Sequence, residues 1–178
     1  MNMQGAVKDA ENVVAKWGFP PPYTKLHEGL SPKVAEIIHQ YYLDFPNVEK
    51  HLYLTGNSYK AVKTVSTLVR DLLITGGITR RVNFLPCASF LELPSWDLPE
   101  IESKIETADI TVLHEIGQAK LNSTQSLHLY NLINSRIYNT SKYRFIFISG
   151  NHPDEVALNT SKSLIDTLEG TAYVLGVG

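Results

Sequence analysis

The sequence predicts a three-layer α/β sandwich built on about five parallel strands. Three observations lead there. Near-continuous apolar runs recur along the chain, among them HLYLT at 51–55, DITVL at 109–113 and RFIFIS at 144–149. These runs are separated by stretches whose apolar residues repeat at helical spacing, and strands apolar on both faces that alternate with helices form parallel sheets covered on both sides. At 178 residues, 43% hydrophobic and 19% charged, the chain is sized for one domain with a substantial core.

The elements follow in order. Val7, Ala10, Val13, Val14 and Trp17 mark a first helix, stopped by Gly18 and the prolines at 20–22. Ser31 as N-cap and Pro32 at the first helical position open a second, with Val34, Ile37, Ile38 and Tyr41 on its apolar face. After the strand HLYLT, Val62, Val65, Val69 and Leu72 or Leu73 place a helix from about Lys60 to Ile74. RVNFL at 81–85 reads as a strand, ASFLEL at 88–93 as a short helix, and LPEIESKIET at 98–107 as another. DITVL is the next strand. A long helix is expected from Ser123 to Tyr138 with Leu127, Tyr130, Ile133 and Ile137 inward, then the strand RFIFIS, a helix within 154–168, and a last strand AYVLGV. Residues 1–45 read as helices packed on a core of residues 46–178, without repeats or low-complexity segments.

Composition narrows the function classes. A net charge of −2 carries no electrostatic mandate for nucleic acid, although basic residues gather at Lys60 and Lys63, at Arg80 and Arg81, and across Arg136, Lys142 and Arg144. Cys87 is the only cysteine, which excludes an intramolecular disulfide and a cysteine-based zinc site. The first residues lack the apolar run of a signal peptide, and no stretch approaches 18 consecutive apolar residues, so a cytoplasmic protein without membrane contact is expected.

Two stretches carry chemistry. GNSYKAVKT at 56–64 follows a strand and opens a helix, the layout of a phosphate-binding loop G-x-x-x-x-G-K-[ST]. In that loop backbone N–H groups cradle phosphates, the lysine reaches the β and γ oxygens, and the hydroxyl holds Mg²⁺. Counted without a gap from Gly56, Ala61 stands at the second glycine and Val62 at the lysine; with one inserted residue, Lys63 and Thr64 fall in place but Val62 replaces the glycine. A β-branched valine resists the positive φ that this glycine often adopts, and it carries no charge. Taken alone, the stretch reads as a strand-to-helix turn with two exposed lysines.

ADITVLHEIG at 108–117 ends a strand in His114 and Glu115. In P-loop ATPases an acidic pair stands at such an end, one carboxylate for the Mg²⁺ shell and one for the attacking water. Glu115 suits the second role; His114 occupies the first, where imidazole is a poor partner for a hard cation. A zinc H-E-x-x-H motif fails because Gln118 holds the fifth position and the pair ends a strand. The remaining histidines show no ligand spacing and are expected at the surface, and no G-x-S-x-G elbow is present.

The order of segments resembles the DnaC/DnaI-type helicase loaders, a branch of the AAA+ ATPases that includes IstB-like transposition ATPases. WGFPPPY at 17–23 is similar to the lead-in before that family's first helix, YYLDFPNVEKHLYLTG at 41–56 to its approach to the P-loop, ADITVLHEIG to its acidic strand, and LYNLINSRIYNTSKYRFIFISGNHPDEV at 129–156 to the helix, strand and sensor that follow. The resemblance implies a P-loop NTPase (AAA+/RecA-like) core, here without the C-terminal lid or the separate helicase-binding region. It implies that Asn151 holds the sensor position, that Glu115 holds the catalytic base, both in vestigial roles, and that Lys162 and Asp166 lie where basic residues and an arginine finger belong. Any nucleotide would meet Gly56, Asn57, Ser58, Lys60, Lys63 and Thr64.

With lysine, Mg²⁺ acid and arginine finger all replaced, the expected protein is a pseudo-ATPase with a degenerate Walker A motif. No cofactor and no metal are expected, and ATP or ADP with Mg²⁺ is the fallback. Its role would be protein–protein interaction in DNA replication or on a mobile element, with a replicative helicase, a helicase loader, another AAA+ protein or a second copy as partner, and Tyr59, Trp96 and Tyr143 as candidate contacts. A single-strand DNA-binding accessory factor is the first alternative. The second is an ATPase with an altered P-loop, in which Lys60 or Lys63 supplies the charge.

Overall fold

The computed structural model describes residues 3–87 and 98–178, so the helix expected at 88–93 and the contact expected at Trp96 lie outside the described residues. Two helices, α1 (Met3–Lys16) and α2 (Pro32–Asp44), precede β1 (His51–Gly56) and α3 (Ser58–Ile74). Then come β2 (Val82–Pro86), α4 (Leu98–Thr107), β3 (Ile110–His114), α5 (Ser123–Asn134), β4 (Phe145–Ser149), α6 (Pro153–Asn159), α7 (Lys162–Thr171) and β5 (Ala172–Val177). The sheet is all parallel in the order β2-β3-β4-β1-β5, with Leu52 opposite Ile146 on one side and Tyr173 on the other. The expected three-layer sandwich with a five-stranded parallel sheet is the observed architecture.

Side-chain alternation along each strand divides the core. Leu52, Leu54, Val112, Ile146 and Ile148 face α1, α2 and α3, where they meet Val14, Ile38, Val65, Leu68 and Leu72. Tyr53, Leu113, Phe145 and Phe147 face the other way, onto Ile105 of α4, Leu129 and Ile133 of α5 and Leu168 of α7. Both faces of β1 and β4 are therefore dry, which is why residues 52–54 and 145–148 are apolar without interruption.

Three helices differ from expectation, each through a hydrogen bond. The helix after β1 starts at Ser58 instead of Lys60, because Asn57 caps it by accepting from the Lys60 N–H at 3.0 Å. The helix expected within 154–168 is two: the Ser126 hydroxyl donates to the Thr160 carbonyl at 3.0 Å, and Ser161 restarts the chain by accepting from the Leu164 N–H at 3.2 Å. That same Ser126 bond turns α5 so that Ser126, Leu129, Leu132 and Ile133 are buried and Leu127 is 55% exposed; α5 stops at Asn134, and Ile137 is buried beyond it. Ser31 stands at the start of α2, but its hydroxyl makes no capping bond. No helix among the described residues is long and apolar enough to cross a membrane.

His51, expected at the surface, is fully buried at the start of β1. Its Nδ1 accepts from the Phe145 N–H at 3.1 Å and its Nε2–H donates to the Ile137 carbonyl at 2.7 Å. Only the neutral ring satisfies both, since a proton on Nδ1 would face the Phe145 N–H. Burial lowers the His51 pKa against the smaller opposing pull of the Ile137 carbonyl. The unfolded chain then takes up the proton first, so the stability is present above the ordinary histidine pKa of about 6.5 and is lost as pH falls through and below it. His114, also lowered mainly by burial, adds a slope of the same sign. The midpoint of thermal unfolding is expected to drop between neutral and mildly acid pH, and to drop less in His51→Gln. An identical pH dependence in wild type and variant would remove His51 from this role.

Candidate functional site

In an open parallel sheet, ligands bind beyond the carboxyl ends of the strands where neighbouring strands send their connections to opposite faces. Here that point lies between β1, which leads to α3 on one face, and β4, which leads to α6 and α7 on the other. The loops after the two strands are in contact: a Cβ on Gly150 would stand 3.7 Å from the Ser58 Cβ and 3.9 Å from the Gly56 carbonyl oxygen.

The connection from β1 to α3 is a single residue, Asn57. Gly56 turns with φ +99°, and a Cβ there would meet the Val177 carbonyl oxygen at 2.7 Å. The Asn57 N–H donates to that same carbonyl at 2.7 Å, and the Ala61 N–H donates to the Asn57 carbonyl at 2.9 Å. With the helix starting at Ser58, Lys63 and Thr64 fall on its second turn. The Lys63 ammonium lies 4.2 Å from the centre of the Tyr23 ring and 5.7 Å from that of Tyr59. Thr64 is fully buried, and its hydroxyl donates to the Lys60 carbonyl at 2.9 Å. The Lys60 ammonium reaches over to the Gly178 carbonyl beyond β5. Gly56, Asn57 and Ser58 thus line the switch point, whereas the Thr64 hydroxyl is withdrawn into the core side of α3 and both lysines have partners elsewhere.

The end of β3 is held as tightly. Glu115 has φ +62°, uncommon for a residue with a side chain, and Gly117 has φ +76°. A Cβ on Gly117 would meet Val156 atoms at 2.7–2.9 Å. The intervening Ile116 N–H donates to the Ile148 carbonyl at 3.2 Å. His114 stacks on Phe84 at 4.1 Å and 10°, and Phe84 in turn contacts Phe19 at 4.4 Å. His114 Nδ1 is 3.9 Å from the Glu115 carboxylate, while its buried Nε2 has no partner among the described residues. Burial, reinforced by Glu115, pushes the Cys87 thiol pKa up to about 12 and leaves it protonated.

Asn151 meets this loop through its side-chain amide, which donates to the Gly117 carbonyl at 3.4 Å; Asn159 donates to the same oxygen at 2.7 Å. Glu115 and Asn151 therefore share one end of the sheet with Gly56. Lys162 and Asp166 are exposed on α7. Among the described residues no group of three or more His, Cys, Asp or Glu is placed to hold a metal ion.

The basic cluster near α5 is largely engaged within the chain. Arg136 and Lys142 pair with Glu106 at 3.3 and 2.6 Å, and the Arg144 guanidinium donates to the Pro46 carbonyl at 2.7 Å. The hydrogen bond from Lys142 above all, with those from the Tyr143 hydroxyl at 2.6 Å and from Arg136, holds the Glu106 carboxyl down at about 2. Tyr143 is thus bound internally, and Tyr59, 67% exposed, is freer to meet a partner. Sequence reading named Asn57 only as a nucleotide contact and missed its capping role, and it missed Asn159 and the Val177 carbonyl. Asn57 had a visible signal, an asparagine three residues before a helical N–H; a backbone carbonyl and the Asn159 bond across the fold had none.

No protein-family model and no curated protein matches this sequence. Solved structures do match in fold. The DnaC helicase loader aligns at a TM-score of 0.68 with 15% identity over 96% of this chain and 99% of that one. DnaI aligns at 0.67 with 12% identity over 82% and 84%. AMPPCP-bound DnaA from Aquifex aeolicus aligns at 0.67 with 15% identity over 84% of this chain, which spans 47% of that protein's length. The chain has the DnaC/DnaI-like AAA+ fold expected from its segment order.

Two substitutions test the loop after β3. Gly117→Ala is expected to cost about 1–3 kcal/mol in urea unfolding, since both its φ and the Val156 contact oppose a Cβ. Glu115→Gly relieves a positive φ and is expected to be neutral or stabilising by up to about 1 kcal/mol. A large loss for Glu115→Gly would mean that the carboxylate itself holds the loop.

Proposed function

We propose that this chain is a catalytically defective AAA+-like protein that acts as an interaction module in DNA replication or on a mobile element. Its partner would be a replicative helicase, a helicase loader or another AAA+ subunit. One observation carries the reading: β1 passes into α3 through Asn57 alone. A phosphate-binding loop needs several residues between strand and helix, so that backbone N–H groups converge on one anion. Here the Asn57 N–H is spent on Val177 and the Lys60 N–H on the Asn57 side chain.

The remaining chemistry agrees. Phosphoryl transfer is catalysed by positioned positive charge and a metal-bound hydroxyl. Thr64 offers its hydroxyl inward and His114 is stacked on Phe84, while the family resemblance implies that His114 takes the metal-acid position and that Asp166 falls near the arginine finger. In this reading Glu115 and Asn151 are vestiges of the base and sensor positions that the family resemblance implies. The matched folds come from a replication initiation protein and helicase loaders, which supports placing this chain in replication.

A second reading, single-stranded DNA binding, draws on the exposed Tyr59 ring beside Lys63 and on a fold neighbour, a DnaA bound to AMPPCP and single-stranded DNA. The pairing of Arg136 and Lys142 with Glu106 favours the protein-partner reading over it.

Titration with a fluorescent ATP analogue, with and without Mg²⁺, while phosphate release is followed, tests the proposal. The expected result is no turnover and no binding that depends on Mg²⁺. Turnover abolished by Glu115→Gln would overturn it. DNA binding that weakens steeply with salt and is lost in Tyr59→Ala would instead select the second reading.

A further inference from the structure

The two edges of the sheet are finished differently. β2 ends in Pro86, which donates no backbone hydrogen bond, and is preceded by Arg81. β5, the opposite edge, reads AYVLGV, without a charge or a proline. Natural sheets guard a free edge with charge, proline or a covering element, because its unpaired N–H and C=O groups recruit another strand. Among the described residues β5 has β1 as its only strand neighbour, and Tyr173 and Val174 are 38% and 41% exposed.

Beside that edge lies a cavity of about 230 Å³ between α2 and the start of β5. Ile37, Tyr41 and Val48 give it an apolar lining, and the carboxylates of Glu36, Asp44 and Glu49 stand around it. Among the described residues that line it, Lys50 is the one cation, and its ammonium is held 5.4 Å from the centre of the Tyr173 ring.

We propose that the β5 edge is a docking site for an extended, basic segment of a partner protein, which adds as a sixth strand and lays a lysine or arginine side chain into the acidic cavity. Main-chain pairing supplies the affinity of such strand addition, and the pocket for alternate side chains supplies its selectivity. Charge decides the occupant. Around the cavity Glu36, Asp44 and Glu49 stand against the single cation Lys50, so a basic segment meets complementary charge.

The site is independent of the nucleotide question. Tyr173 pairs with Leu52 near the start of β1, and Val177 pairs with Gly56 at its end, four residues or roughly 13 Å further along the strand.

The test uses the full chain and a fluorescein-labelled heptapeptide of alternating valine and lysine, with a valine–glutamate peptide as control. Saturable binding of the lysine peptide is expected, with amide NMR shifts concentrated in residues 172–177 and along α2. Reversal of the exposed carboxylates in Glu36→Lys/Glu49→Lys should weaken it about tenfold, and raised salt should weaken it in the wild type. Circular dichroism checks that the variant is folded, and its nucleotide titration should match the wild type. Equal binding of both peptides, shifts elsewhere, or no binding overturns the proposal. Concentration-dependent dimers abolished by Tyr173→Lys would overturn it in favour of a second copy.

Discussion

Strand β1 is the member on which the rest of the fold depends. It lies between β4 and β5, sends Leu52 and Leu54 into one core and Tyr53 into the other, and hands the chain to α3 with a single intervening residue. Its last residue cannot carry a side chain, because the space a Cβ would occupy is taken by the Val177 carbonyl. That close approach locks the ends of β1 and β5 together and starts α3 at once. The same packing that fixes the register of two strands leaves little backbone with which to surround a phosphate.

Much of the fold was legible because the strands are buried on both faces, and such burial writes itself as uninterrupted apolar sequence. DITVL and RFIFIS could be little else once their neighbours repeat at helical spacing. The misplaced features share another origin. The start of α3, the break between α6 and α7 and the rotation of α5 are each set by one polar side chain, Asn57, Ser161 or Ser126, bonding a particular backbone group. Serine and asparagine are common in loops and caps alike, so their presence does not announce which backbone group they will find. His51 was missed for the same reason: its two partners lie at Phe145 and Ile137, far along the chain.

The candidate site was legible in part. Glu115, Asn151 and Gly56 do meet at one end of the sheet, as the order of segments implies. Lys63 and Thr64 could not be placed from spacing alone, because shifting a helix start by two residues rotates every later side chain by about 200°. The shift turns a residue suited to face a phosphate into one buried beneath α3. Motif spacing is informative only when the loop it counts through has the length the motif assumes.

The two ends of β5 then stand in contrast. At the carboxyl end, Val177 is bonded to Asn57 and the Lys60 ammonium closes over Gly178, so polar groups are satisfied within the chain. At the amino end, Tyr173 and Val174 are left open beside three carboxylates. An unpaired edge costs little in an isolated monomer, because water serves its backbone groups, but it is a hazard in a crowded solution unless something limits what can pair with it. In the docking we propose the carboxylates do that by favouring a basic strand. One strand thus closes against β1 at its carboxyl end and leaves its amino end open to the partner segment proposed for it.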